Sequence, residues 1–349
     1  MPLLTTTIGA YPKPRSLRIP DWFDPGAIDS SAATRGYVSA IERLGAEAGQ
    51  IIAGGVREVI EDQIACGIDI PTDGEVRREN YVHYHCRHLE GFDFEHLTHR
   101  ILRGGAYEAD LPTVSGPVKA RAPFLPADWA LAQSFTERPV KMTLPGPMTI
   151  ADTTADEFYG NPEALGRDLA EALNKEILAL AAAGCTYIQI DEPLFARKPK
   201  EALAYGLEHI ERCWQDVPAD VVKTLHICCG YPSRLDQEDY AKADPDAYFV
   251  LAEAIDASVI DAVSLEDAHR HNDLSLLDRF ADTTVILGVI AIARSRVETV
   301  NEVRERLKAA LKHLPPERLI AAPDCGLGHL GRDLAMRKLK VLSEAAKSV

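Results

Sequence analysis

Eight short, β-branched segments alternate with longer helical patterns along this chain, and no other feature of the sequence restricts its fold as tightly. The strand-like segments fall at 3–8, 68–72, 140–144, 186–190, 221–227, 262–265, 284–289 and 319–322. Helical periodicity occupies 33–66, 162–183, 198–215, 245–255, 275–280, 297–311 and 331–346. Eight strands, each followed by a helix or an irregular return, predict a parallel α/β protein closed as a (β/α)8 TIM barrel. A doubly wound open sheet is the alternative. That fold advertises a glycine-rich first turn, and Gly9-Ala10-Tyr11-Pro12-Lys13-Pro14 is not such a fingerprint. One stretch, 79–128, breaks the rhythm: it is polar and aromatic, with Gly104-Gly105 and Ser115-Gly116-Pro117 as turn signals. It reads as a β-hairpin insertion after the second strand. With no Ser/Gly linker, low-complexity tract or repeat, residues 1–349 read as a single domain.

Charge narrows the partners. Against 38 basic residues stand 53 acidic ones, a net charge of −15, which argues against nucleic acid or an anionic membrane as the main partner. No run of 18 apolar residues offers a membrane helix. The start, Met1-Pro2-Leu3-Leu4-Thr5, lacks the basic and apolar regions of a signal peptide, so a cytoplasmic location is expected. The seven cysteines are scattered and odd in number, a pattern that favours metal or catalytic roles over a disulfide framework.

The strongest chemical signal is Leu225-His226-Ile227-Cys228-Cys229-Gly230. On a strand, His226 and Cys228 share a face, while Cys229 points away. At the carboxyl end of a barrel strand that face looks into the mouth. Pro323-Asp324-Cys325-Gly326 ends the last strand and Ser264-Leu265-Glu266-Asp267 the sixth, so three strand ends offer His226, Cys228, Glu266 and Cys325. An imidazole, two thiols and a carboxylate suit Zn2+. The bland readings remain beside it: a small buried cysteine and a structural carboxylate. Two thiolates and a carboxylate temper the Lewis acidity of the ion, so such a centre suits holding a substrate thiol as thiolate better than sharpening water.

Several motifs then occur in one order: Thr5-Thr6-Thr7-Ile8-Gly9-Ala10-Tyr11-Pro12, Asp73-Gly74-Glu75, Leu144-Pro145-Gly146-Pro147-Met148-Thr149, Gln189-Ile190-Asp191-Glu192-Pro193, His226-x-Cys228, Ser264-x-Glu266 and Pro323-Asp324-Cys325-Gly326-Leu327. Together they resemble the catalytic C-terminal barrel of cobalamin-independent methionine synthase, over nearly the whole chain. The resemblance implies a (β/α)8 barrel, zinc on His226, Cys228, Glu266 and Cys325, and methyl transfer to homocysteine to give methionine. It also implies that Glu75 and Asp191 hold the amino group of homocysteine. Without it, Glu75 reads first as a salt-bridge partner of Arg77 or Arg78, and Asp191 as part of an acidic helix start.

The sequence also departs from the pattern. The family's substrate-touching serine is Ala10 here, and its Asp-x-His falls at Ala291-Ile292-Ala293, leaving Ala293 where the acid that assists folate chemistry stands. The N-terminal duplicate barrel has no counterpart in the sequence. Methyl-folate is a poor donor without an acid, so the expected donor is a methyl-corrinoid, free or protein-bound, whose leaving group needs no proton. His83, His85, Cys86 and His88 do not converge on a strand and read as the polar base of a hairpin, with His83 open to substrate contact. His271, Arg294 and Arg296 are open between roles near the site and surface pairing. Competing functions are epoxide opening by a thiol such as coenzyme M, a decarboxylase of the same barrel superfamily, and a zinc-binding homologue without turnover.

Overall fold

The computed structural model describes residues 2–14, 16–17, 19–21, 23, 30–102, 107–232 and 234–349. Its strands are β1 (Leu4–Thr5), β2 (Leu89–Leu102), β3 (Tyr107–Ala120), β4 (Met142–Pro145), β5 (Ala155–Asp156), β6 (Tyr187–Asp191), β7 (Val222–Ile227), β8 (Ala262–Leu265), β9 (Thr284–Ile290) and β10 (Leu319–Pro323). Seven of them form one parallel sheet in the order β1, β10, β9, β8, β7, β6, β4. These segments are largely apolar and, apart from the half-exposed Leu4 and a few strand starts, buried on both faces, as a parallel sheet covered by helices requires.

The segment 68–72, expected as the second strand, forms only isolated parallel bridges, Thr6 with Ile70 and Thr72 with Lys141. Pro71 explains the shortfall: it has no N–H to give a ladder, although its carbonyl accepts from Lys141 N. The two bridges nonetheless connect both outer strands, β1 and β4, to the same segment, and the sheet curls on itself. Because all its strands run one way, their carboxyl ends share one rim. Ile8, Ala262, Ile286 and Ala322 plug the interior below that rim.

The helices follow local chemistry. Pro162–Ala183 has Asn161 accepting from Glu163 N and Ala164 N, proline in its first turn and left-handed Gly184 at its end. The expected 33–66 helix is two, Ser30–Leu44 and Ala48–Ala65, parted by a 3₁₀ turn at Gly45–Glu47 where Gly45 takes φ 55°. The expected 198–215 helix is likewise broken, into Leu194–Arg197, Pro199–Glu201, a π turn at Ala202–Gly206 and Leu207–Cys213. Pro199 cannot continue a helix begun before it.

The polar stretch contains an antiparallel pair, β2 with β3, whose register shifts twice, and β5 adds to β3 in parallel. The Gly104-Gly105 turn signal lies outside the described residues. The reading of 81–88 as a hairpin base is corrected: His83–Cys86 is a buried helical turn, and β2 begins only at Leu89. Asn80 starts that turn, its side chain accepting from Val82 N and His83 N.

Candidate functional site

Three of the four expected ligands meet. His226 lies near the end of β7 and Cys228 just beyond it, while Cys325 follows β10, and one ligand atom from each falls within 4.8 Å of the others. His226 Nε2 is 3.4 Å from Cys325 Sγ. Donors about 3.5 Å apart are what a tetrahedral ion with N and S bonds of roughly 2.0–2.3 Å spans. His226 Nδ1 lies 2.9 Å from Ser264 Oγ, which fixes the ring and leaves Nε2 facing the thiols. The Cys228 thiol is held well below its ordinary value by its bond with Cys325 and by His226, against the burial that opposes ionisation. Donor set, spacing and loosened proton all fit zinc. The Cys229 thiol is pushed up by burial and lies beside Tyr248, away from this group.

Glu266 stands outside that group and clusters instead with His269 and Asp324. Its oxygens are already engaged, one by Cys229 N at 3.0 Å and the other by the Lys242 ammonium. The second cluster is a structural one. Asp324 accepts from Asp267 N, Ala268 N and His269 N as well as His269 Nδ1, so its lone pairs are committed. His269 Nε2 in turn accepts from Ala293 N at 3.3 Å.

Across the rim lie the expected carboxylates. Glu75 holds φ 56°, a left-handed conformation uncommon for a residue with a side chain and a marker of functional strain. Its Oε1 accepts from Thr143 Oγ1 at 2.9 Å and from Arg78 Nη1 at 3.3 Å. A side chain at Gly9 would bring its Cβ within 2.7 Å of that oxygen and push the carboxylate out of place. Asp191 ends β6, and Gln189 Nε2 donates to it at 2.7 Å while also reaching Ile8 O. Burial pushes the Glu75 carboxyl up to about 7, opposed by Arg78 and reinforced by Asp191 and Asp73. Burial likewise raises Asp191 to about 6, with His226, Arg78 and Lys141 pulling the other way. Both carboxyls resist ionisation even with Arg78 beside Glu75, so a further cation would be welcome there.

Of the open assignments, Ala10 lies at the rim, its carbonyl accepting from Leu327 N. Ala291 and Ala293 are buried, with backbones tied to Glu298 and Asp236, and neither side chain carries a proton. His83 is also buried, Nε2 lying 3.2 Å from Thr153 O, and burial lowers it to about 4. His271 is largely exposed beside Asp267, and Arg296 forms a forked pair with Glu302, so surface pairing accounts for both. Arg294 reaches the His269 carbonyl at 3.5 Å. Residues that the spacing did not single out are Arg78, Thr143, Gln189 and Lys242. Arg78 had a signal in its place three residues after Glu75, and Gln189 in its place two residues before Asp191 on one strand, where both share a face.

The family model described as the catalytic domain of cobalamin-independent synthase matches residues 3–348. The chain belongs to that family. A methionine synthase from Saccharolobus solfataricus is 33% identical, covering all of this chain and 96% of the relative. A solved B12-independent methionine synthase from Shewanella sp. W3-18-1, in complex with selenomethionine, is 30% identical with a TM-score of 0.84, over all of this chain and 98% of the other. A methyltransferase from Methanosarcina mazei, at 13% identity and a TM-score of 0.55 over 99% of this chain and 94% of that one, shares the fold alone. The family's description runs against the expectation of a corrinoid donor. Among the described residues no helix is long and apolar enough to cross a membrane.

Proposed function

We propose that this protein is a zinc-dependent methyltransferase that converts homocysteine to methionine in a single (β/α)8 barrel with the β2–β3 pair inserted after its second strand. The convergence of His226, Cys228 and Cys325 carries the reading. Family membership supports the reaction class, and the two bridges of 68–72 to both sheet edges support the closed barrel.

His226, Cys228 and Cys325 would hold the ion, and Glu266 would complete the set by exchanging Lys242 for it. Bound zinc supplies the Lewis acidity that keeps a substrate thiol as thiolate near neutral pH. The protein does the rest. Ser264 holds the His226 ring so that Nε2 faces the centre. Glu75 and Asp191 receive the substrate ammonium by charge-assisted hydrogen bonds and so aim the sulfur at the centre. Gln189 and Thr143 orient those carboxylates. The acidic pair disfavours a thiol that bears a sulfonate and no amine.

A relative holding selenomethionine, a methionine-shaped molecule, supports an amino-acid occupant. Incubation of zinc-loaded protein with homocysteine tests the function, with methyl-folate, its polyglutamate and methylcobalamin supplied in parallel. Methionine from any of them supports the reading and identifies the donor. No methionine from any, with one tightly bound zinc per chain, would leave a metal-binding homologue in its place.

A further inference from the structure

Arg78 is the buried cation of the carboxylate cluster, and its surroundings are unusual. The guanidinium is 1% exposed, yet Nε and Nη2 find no hydrogen-bond partner among the described residues. Nη1 donates to Glu75 Oε1 at 3.3 Å and to Thr143 Oγ1 at 2.9 Å, and Thr143 Oγ1 donates to the same Glu75 oxygen at 2.9 Å. Asp73 lies 3.9 Å from Nη2, an ion-pair distance and not a hydrogen bond. Arg78 thus forgoes donors that burial makes costly, and the contacts it keeps converge on one oxygen of Glu75.

That arrangement has two effects. A guanidinium fixed by Thr143 sets the rotation of the Glu75 carboxylate, since Arg78 and Thr143 both claim Oε1 and neither bonds the other oxygen. It also supplies the positive charge that opposes burial and the neighbouring Asp73 and Asp191. Asp73, Glu75 and Asp191 outnumber Arg78 and the buried Lys141 beside Asp191, so the cluster still favours a further cation.

We propose that Arg78 is a positioning residue that presents Glu75, oriented and charged, to the ammonium of the amino-acid thiol, and thereby sets selectivity for thiols that carry an amine. This rests on the proposed acceptor. A residue that only supported the fold would affect every thiol alike.

The test compares homocysteine with 4-mercaptobutanoate, the same thiol without its amine, as substrates of the zinc-loaded protein. Arg78→Met should raise KM for homocysteine about ten-fold or more, the scale of a charged hydrogen bond, and shift KM for 4-mercaptobutanoate less than about two-fold. Arg78→Lys should restore part of the loss, because it keeps the charge without the fork. In a double-mutant cycle, adding Arg78→Met to Glu75→Gln should cost no more than Glu75→Gln alone. Equal losses for both thiols, or additive losses in the cycle, would overturn the proposal. If Arg78→Met fails to fold, as thermal unfolding would reveal, Arg78→Lys and Thr143→Val carry the same comparison. Should Glu75→Gln itself leave the ratio of the two thiols unchanged, the amine-binding reading fails and takes the positioning role with it. If that ratio falls in Glu75→Gln but not in the Arg78 variants, only the positioning role fails.

Discussion

A buried thiol normally holds its proton more tightly than a free one, and Cys228 does the reverse because Cys325 and His226 lean on it. That pairing makes the cysteines ligands in waiting, so Cys228→Ser and Cys325→Ser should each lose most of the bound zinc. Metal analysis after dialysis checks this, and full retention in either variant would remove that residue from the site. Glu75 and Asp191 make a second case. Their carboxyls sit near about 7 and about 6 in the site, and an arriving ammonium favours their ionised forms. Preference for homocysteine over 4-mercaptobutanoate should therefore climb as pH rises through that interval. A ratio flat across it would mean that the carboxylates do not meet the amine. The pairing of His226 with Cys228 was legible from strand alternation, which puts alternate residues on one face, whereas the addition of Cys325 rested on the family resemblance. Lys242 on Glu266 was not: it comes from an irregular segment that carries no periodicity.

Elements place these side chains through a few close approaches of backbone. The carboxylate of Asp324, after β10, gathers the amides of Asp267, Ala268 and His269 at the end of β8, and it can do so because Gly288 on β9 has no side chain. A Cβ at Gly288 would collide with that carboxylate and come within 2.7 Å of Asp324 Cα. Gly288→Ala should cost roughly 1–3 kcal/mol, the usual penalty of overpacking, and lower zinc affinity by shifting the neighbouring Cys325. Urea unfolding and a chelator competition read the two effects, and an unchanged midpoint would show that the strands give way freely. Seven of the eight expected strands could be read from the sequence to within a few residues, since apolar runs bounded by turns survive burial intact, and only 68–72 fell short. Helix breaks at Gly45 and Pro199 were harder, because amphipathic periodicity runs straight through both. The turn at His83–Cys86 was missed for another reason: with side chains buried on every side, alternation carries no information.

For the molecule as a whole, several buried carboxyls make alkaline conditions the weak side. Glu192, fully buried against Met148 N and Thr149 Oγ1, is pushed up to about 8 by burial. A carboxyl raised in the folded state adds stability below its unfolded value and loses it as pH climbs through the folded one. Thermal stability should thus fall from about pH 5, just above the unfolded carboxyl value, to about pH 8, the folded value of Glu192, and Glu192→Gln should flatten that limb. A slope identical to the wild type would assign it to other groups. Curling of the sheet has a further consequence, in time and not in space. His226 and Cys325 touch across a separation of 99 residues, and the second of them arrives just after the last strand. Of the proposed ligands, His226, Cys228 and Glu266 leave a ribosome before Cys325 does. On the proposed assignment the ligand set would be complete only once β10 slots between β1 and β9, so zinc would bind late and could not guide folding from the start.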